Sequence, residues 1–438
     1  MMKLIAILPL LFLVSIPVAY ADLNIEKIVQ VGGTFVASDD EQDFAIGDTV
    51  VLDKSILFLS FRHIGDGNMK DWVRSYELLD TTTIRMYGGS FAPADNIQVD
   101  WEGYIVEFTS TSDVVVQKGN FEVPIFLPET EFFPPLNGSA ITTDKSILIF
   151  QGFDNDNDDD TYGIEESFRS RIFNTTHLGF FVDDTPNDEP NMIRWQVADF
   201  NNANVTVQRG LGDLADGNAV DTFAPPTAIN RTNSLLFVSF SQDSIFDSEP
   251  DEYQPYAILN PSNQIHIERE DSSCTAGEAC TVDYAWEVIE FFGDDDILDV
   301  QHGVLVDATT TSSNVQRTST DSITAVSNFT NSLAIGTVQV PIGLGNANPV
   351  GGGGGQYDTV QHTMELTDAS TITFITEDGQ DEIHGLGWQA IEFFPVVELV
   401  SVSDTFIPIS CCFFFINPDI FTNLWANFIL LINSAVMN

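Results

Sequence analysis

The stretch AWEVIEFFGDDDILDVQHG, Ala285–Gly303, sets a tryptophan beside two glutamates, Glu287 and Glu290, and follows them with three aspartates. Alone it invites a catalytic reading, because glycoside hydrolysis uses two carboxylates about 5–9.5 Å apart across one cleft. Its echoes elsewhere in the chain make it a building element instead. IRWQVADF ends at Phe200, YAWEVIEF at Phe291 and LGWQAIEF at Phe393, while WEGYIVEF ends at Phe108 with its tryptophan two residues earlier.

Two further markers keep the same order. VQVG at Val29, VQKG at Val116, VQRG at Val207 and VQHG at Val300 place Gln30, Gln117, Gln208 and Gln301 87, 91 and 93 residues apart. DKSILFL at Asp53, DKSILIF at Asp144, TNSLLFV at Thr232 and TNSLAIG at Thr330 supply the third. Three markers in one order define four tandem repeats, 22–112, 113–203, 204–296 and 297–404.

Each repeat reads as strands. SYELLDTTTIRMY, RIFNTTHLGFFV, AILNPSNQIHIE and MELTDASTITFI join two β-branched and aromatic runs through turn residues, the pattern of a hairpin. No window of a dozen residues sustains helical periodicity. The expected fold is all-β: four tandem antiparallel β-sandwich repeats of about six strands each. At period two, Trp286, Val288 and Glu290 share one face of the closing strand, and Glu287, Ile289 and Phe291 the other. Glu287 and Glu290 therefore point to opposite faces and do not form a catalytic pair. Both faces are half apolar, which implies a partner sheet on one side and a loop or neighbouring repeat on the other. The recurrent acid, Glu107, Asp199, Glu290 and Glu392, falls at the strand end, where it caps or bonds a turn.

The chain opens MMKLIAILPLLFLVSIPVAYA, an apolar run ending in a small-x-small site, so residues 1–21 read as a signal peptide and the protein as secreted or cell-surface. Of 438 residues, 43% are hydrophobic and 34 are Phe, enough to fill several cores. Against 65 Asp+Glu stand only 16 Lys+Arg, a formal net charge of −49. Such a surface repels phosphate backbones, which excludes nucleic acid as a partner, and favours cations and salt.

Several candidate sites follow. In DNDNDDDTYGIEE, Asp154, Asp156, Asp158, Asp160 and Glu165 place alternate oxygens on a short loop, as calcium requires, although Asp159 stands where an EF-hand has glycine. Cys274 and Cys280, closing CTAGEAC in an oxidising compartment, are expected to form a disulfide. Asn137, Asn174, Asn204, Asn230 and Asn328 begin glycosylation sequons. Six scattered histidines lack zinc-ligand spacing and read as surface or strand-face residues. The tail 405–438 has Asp419 as its only charge, yet Pro and Asn interrupt it, so it supports at most weak membrane association.

The order SILFLSF, polar loop, WVRSYELLDTTTIRMYG, polar loop and a closing strand with tryptophan resembles the H-type lectin domain, and GWQAIEF at Gly387 is close to that family's Trp-x-Ala element. The resemblance implies a small six-stranded antiparallel sandwich that binds N-acetylgalactosamine-type sugars, commonly as a trimer. Four tandem repeats already supply multivalency within one chain. The leading expectation is an exported, acidic, non-enzymatic structural or adhesive protein whose partners are surface glycans or other copies of itself. A multivalent carbohydrate-binding protein using the aromatic residues Trp72 and Tyr253 is the alternative, and a secreted hydrolase with a site between repeats the third.

Overall fold

The computed structural model describes residues 25–36, 41–64, 75–88, 98–123, 130–154, 168–182, 191–201, 204–215, 217–243, 255–269, 281–292, 297–307, 317–338, 362–376 and 383–394. They belong to one compact unit that extends to Val396. The first repeat contains β1 (Ile25–Val36), β2 (Glu41–Ala45), β3 (Ser55–Ile64), β4 (Ser75–Asp80), β5 (Thr83–Tyr87) and β6 (Gln98–Phe108). The second has β7 (Val115–Val123), β8 (Thr130–Phe132), β9 (Ser146–Asp154), β10 (Phe168–Ile172), β11 (Leu178–Val182) and β12 (Asn191–Asp199). In the third are β13 (Val205–Leu214), β14 (Val220–Phe223), β15 (Ser234–Asp243), β16 (Tyr256–Leu259), β17 (Ile265–Glu268) and β18 (Thr281–Phe291). The fourth carries β19 (Ile297–Asp307), β20 (Arg317–Ser322), β21 (Ser332–Gly336), β22 (Thr363–Asp368), β23 (Thr371–Thr376) and β24 (Ile383–Phe393). Among the described residues the only helical segments are single 3-10 turns, at Leu52–Lys54, Thr143–Lys145, Arg231–Asn233 and Phe329–Asn331.

The described residues are all-β, in eight three-stranded antiparallel sheets, two to each repeat. The first sheet has the tryptophan strand at its centre, in the order β1-β6-β3, and its counterparts are β7-β12-β9, β13-β18-β15 and β19-β24-β21. The VQxG strand thus pairs with the tryptophan strand that follows it, and opens a repeat rather than closing one. The second sheet is built on the hairpin, in the order β2-β5-β4 and its three counterparts. Each hairpin turn is held by a carboxylate or amide side chain that accepts a backbone N–H two residues on. Asp80 takes the N–H of Thr82, Asn174 that of Thr176, Asn260 that of Ser262 and Asp368 that of Ser370, at 2.7–2.9 Å.

One face of each tryptophan strand packs on the second sheet of its own repeat. Trp101, Trp195, Trp286 and Trp388 are each buried in a separate core, with hairpin residues such as Ile84 and Met86, or Leu178 and Phe180. Burying one indole contributes about 4–6 kcal/mol by area, an upper bound. A glycine opposite the indole makes room for it, the glycine of VQxG in repeats two to four. A Cβ on Gly210 would lie 2.6 Å from the Trp286 ring.

The opposite face belongs to a fifth core that all four repeats share. Phe108, Phe200, Phe291 and Phe393, the last residues of the four quoted motifs, meet there. Phe108 and Phe200 stand edge to face at 5.9 Å and 87°, and Phe200 and Phe291 at 5.9 Å and 89°. Phe58 and Phe237, from repeats one and three, stack at 6.2 Å. Both faces of the strand are therefore covered, and its half-apolar pattern has its explanation.

The repeats join in a closed cycle. The backbone N–H of Leu57 donates to Gln196 Oε1 at 3.0 Å, that of Leu148 to Glu287 Oε2 at 2.8 Å, and that of Leu236 to Gln389 Oε1 at 2.7 Å. Each bond carries the residue after a tryptophan to an edge strand of the preceding repeat, satisfying an N–H that the edge would leave unpaired. The fourth repeat returns to the first through Leu366 N–H to Tyr104 Oη at 2.8 Å and Met364 N–H to Ser60 Oγ at 3.0 Å.

Candidate functional site

Strand direction separates the two ends of every repeat. At one end, Val36, Ile64 and Gln98 lie in register, as do Glu41, Ser75 and Tyr87 of the facing sheet. From this end leave 37–40, 65–74 and 88–97. Equivalent strand ends in the other repeats emit 124–129, 155–167 and 183–190, then 215–219, 244–255 and 269–280, then 308–316, 337–362 and 377–382. These segments differ in length and sequence from repeat to repeat. At the other end the connections are the short hairpin turns, the 3-10 turns and the links between repeats.

The recurrent acid organises that second end. Asp199 accepts from Ser146 Oγ at 3.0 Å and from the N–H of Thr142 at 3.3 Å. Glu290 takes the N–H of Asn230, and Glu392 that of Asn328, both at 2.8 Å. Glu107 instead meets Lys54 Nζ at 3.1 Å. Burial raises the pKa of both Asp199 and Glu290, opposed by those hydrogen bonds. These acids bond turns, as their strand-end position predicts.

Glu287 lies on the other face of its strand from Glu290. It spans the junction of repeats two and three, held by Leu148 N–H and by Arg209 Nε at 2.9 Å. Arg209 also donates to the carbonyl of Ser146 at 2.6 Å. This arginine is the variable residue of VQRG, and its counterparts act alike. Lys118 of VQKG reaches the carbonyls of Leu78 and Leu79, and His302 of VQHG contacts the carbonyls of Ser234 and Arg231 at 3.0 and 3.1 Å. His302 is buried and its pKa is pushed down to about 3, by desolvation first and by Arg231 second, so it is a neutral donor. Three of the four copies of the motif carry Lys, Arg or His between VQ and G, and only VQVG has an apolar residue there; that run of donors was the available signal for a junction residue.

The invariant glutamine has a different task. Gln208 exchanges two hydrogen bonds with Thr227, and Gln301 two with Thr324, at 2.7–2.9 Å, while Gln117 donates to the Ser139 carbonyl at 2.8 Å. Gln30 departs from them and donates to Glu365 Oε2 of repeat four at 2.9 Å. The register explains this. Opposite Trp101 stands Gly33, not Gly32, and the first repeat has two extra residues on each of β1 and β6 between the tryptophan and the shared core. Two residues preserve the faces of a strand, so the fold absorbs them, but the VQVG string is displaced by one and Gln30 occupies the junction position of Lys118.

A cavity of ≈ 70 Å³ lies where the repeats converge, lined by Phe58, Tyr104, Ile149, Phe237, Ile335 and His362 among others. Two of the six histidines, His302 and His362, are thus buried rather than superficial. Trp72 and Tyr253 lie outside the described residues, on segments that leave the variable end. Asp154 closes β9 at that same end, whereas Asp156, Asp158, Asp160 and Glu165 lie outside the described residues, as do Cys274, Cys280 and the tail 405–438. Among the described residues no group of three or more His, Cys, Asp or Glu is placed to hold a metal, and no helix is long and apolar enough to cross a membrane.

Compared with protein-family models, curated proteins and solved structures, the chain matches none.

Proposed function

We propose that this is an exported, non-catalytic adhesive protein, a closed scaffold of four β-sandwich repeats that displays twelve variable segments from one end for multivalent binding of surface glycans. The observation that carries this reading is the division between the ends: a repeated, tightly hydrogen-bonded end built from short connections, and an end from which only variable segments leave. Loops positioned by a rigid frame are where recognition concentrates. Several weak sites held at fixed spacing gain avidity without oligomerisation.

The non-catalytic part is supported by the use of the recurrent carboxylates, which bond turns or junction groups. The resemblance of each repeat to H-type lectins, and the placement of Trp72 and Tyr253 on segments leaving the variable end, support sugar as the ligand class. Calcium is proposed for Asp154, Asp156, Asp158, Asp160 and Glu165, because alternate acidic side chains on one short segment repel one another unless a cation intervenes.

The test replaces 65–74 and 244–254 of the full chain with Gly-Ser segments of equal length and screens binding to a glycan array. Loss of binding at an unchanged unfolding midpoint supports the reading. A parent chain that binds no glycan but assembles with itself on adding calcium would favour a structural lattice instead.

A further inference from the structure

The chain contains five Asn-x-Ser/Thr sequons, and all five lie at the end of the sheets opposite the variable segments. Asn137 is in the connection from β8 to β9, Asn174 in the β10–β11 turn and Asn204 between β12 and β13. Asn230 and Asn328 occupy equivalent places, each immediately before the 3-10 turn of its repeat. The variable segments contain asparagines as well, among them Asn68, Asn96, Asn155, Asn314 and Asn346, and none of these begins a sequon.

Three of the five share one local geometry. The Asn230 carbonyl Oδ1 accepts from the Thr232 hydroxyl at 3.1 Å, Asn328 Oδ1 from that of Thr330 at 2.8 Å, and Asn174 Oδ1 from that of Thr176 at 3.0 Å. In each case the donor is the third residue of the sequon itself. The oxygen is engaged and the amide nitrogen, the atom that carries a glycan, is not part of the bond. Glu290 and Glu392 fix the backbone of Asn230 and Asn328 from below. Asn230 is exposed, and Asn174 and Asn328 are half-buried. Asn137 differs, because its Nδ2 donates to the Lys118 carbonyl at 3.2 Å and lies against Gly119.

We propose that the connection end is the glycan-bearing face of this protein, with N-linked oligosaccharide on Asn174, Asn230 and Asn328, and that the variable end stays bare. The donor is a lipid-pyrophosphate-linked oligosaccharide of the secretory pathway. Asparagine Nδ2 attacks the anomeric carbon, a C–N bond forms as the C–O bond to pyrophosphate breaks, the lipid pyrophosphate leaves, and one Nδ2 proton passes to a base of the transferase. Three glycans would then clad the face that holds the junctions and leave recognition to the other. This inference stands whether or not the variable end binds sugar.

The test expresses the full chain behind a strong export leader in a eukaryotic secretory host and releases glycans with peptide-N-glycosidase in heavy-oxygen water. Site mapping by mass spectrometry should find heavy-labelled aspartate at positions 174, 230 and 328 and unlabelled asparagine at 137. Thr232→Ala and Thr330→Ala should each remove the mass of one glycan. Exported chain unmodified at all three sites, or modified at Asn137 in their place, would overturn the proposal.

Discussion

Leu148 and Glu287, 139 residues apart, are joined by a 2.8 Å hydrogen bond from backbone N–H to carboxylate, and Leu57 and Gln196 are joined across the preceding junction at the same separation. The same position therefore holds an amide in one repeat and a carboxylate in the next. What the junction requires is an acceptor oxygen on a side chain of this length. The carboxylate is used where Arg209 stands beside it.

Glu287→Gln should therefore be tolerated, as Gln196 and Gln389 demonstrate. Glu287→Leu leaves the buried Leu148 N–H without its acceptor and takes the carboxylate from Arg209, which keeps its bond to the Ser146 carbonyl, and a buried donor left unpaired costs about 1–3 kcal/mol. Urea unfolding of the two variants measures the difference. Equal midpoints would show that the side-chain acceptor contributes nothing to the junction.

Closure of the cycle is sensitive to pH at one place. Glu102, at the junction of repeats four and one, has its pKa pushed up to about 7, by burial first and by the Glu365 carboxylate second, with Arg62 opposing and Asp100 adding. Gln30, Tyr104 and Ser60 also contribute polar side chains to that junction. A carboxyl that binds its proton more tightly folded than unfolded contributes stability at low pH, and that contribution is lost as pH rises from the ordinary carboxyl range to about 7. Glu102→Gln should be more stable than the parent at pH 8 and lose this advantage at pH 4.5. Thermal unfolding at the two values decides it; parallel behaviour of parent and variant would refute the assignment.

Much of the scaffold was legible in the sequence because it is repeated. Four tryptophan strands and four hairpins with Asp80, Asn174, Asn260 and Asp368 at the turn leave little freedom in the strand pattern. The closing contact was not legible, since Tyr104 replaces the glutamine or glutamate of the other three junctions and lies two residues from where the tryptophan motif points. Gln30 misled for the same reason: a string match ignores register, and the two added residues on β1 and β6 shift the string while preserving the faces. The candidate binding site was legible only as positions, because the segments that would form it are those in which the repeats differ.

The glycine opposite each tryptophan gives a graded test of that register. A Cβ on Gly210 would meet the Trp286 ring at 2.6 Å, whereas one on Gly33 would meet the Trp101 ring at 3.1 Å. Overpacking a filled core costs about 1–3 kcal/mol. Gly210→Ala should fall in that range and Gly33→Ala below it, as read from unfolding midpoints. A larger loss at Gly33 would contradict the register that sets this residue opposite Trp101.

A closed cycle has no privileged first repeat. The first three junctions are each spanned by a short link, such as 109–114 between β6 and β7, while repeats four and one are joined only by non-covalent contacts. Phe393 and Ile25 nevertheless share the common core, as Phe108 and Val116 do. Joining Phe393 to Ile25 through a copy of 109–114, and opening the chain between Asn201 and Asn204, should give a circular permutant with the parent's strand content and a similar unfolding midpoint. Circular dichroism and urea titration test it. A permutant that expresses only as an unfolded chain would mean that the contacts of Tyr104 and Ser60 with repeat four do not close the cycle in solution.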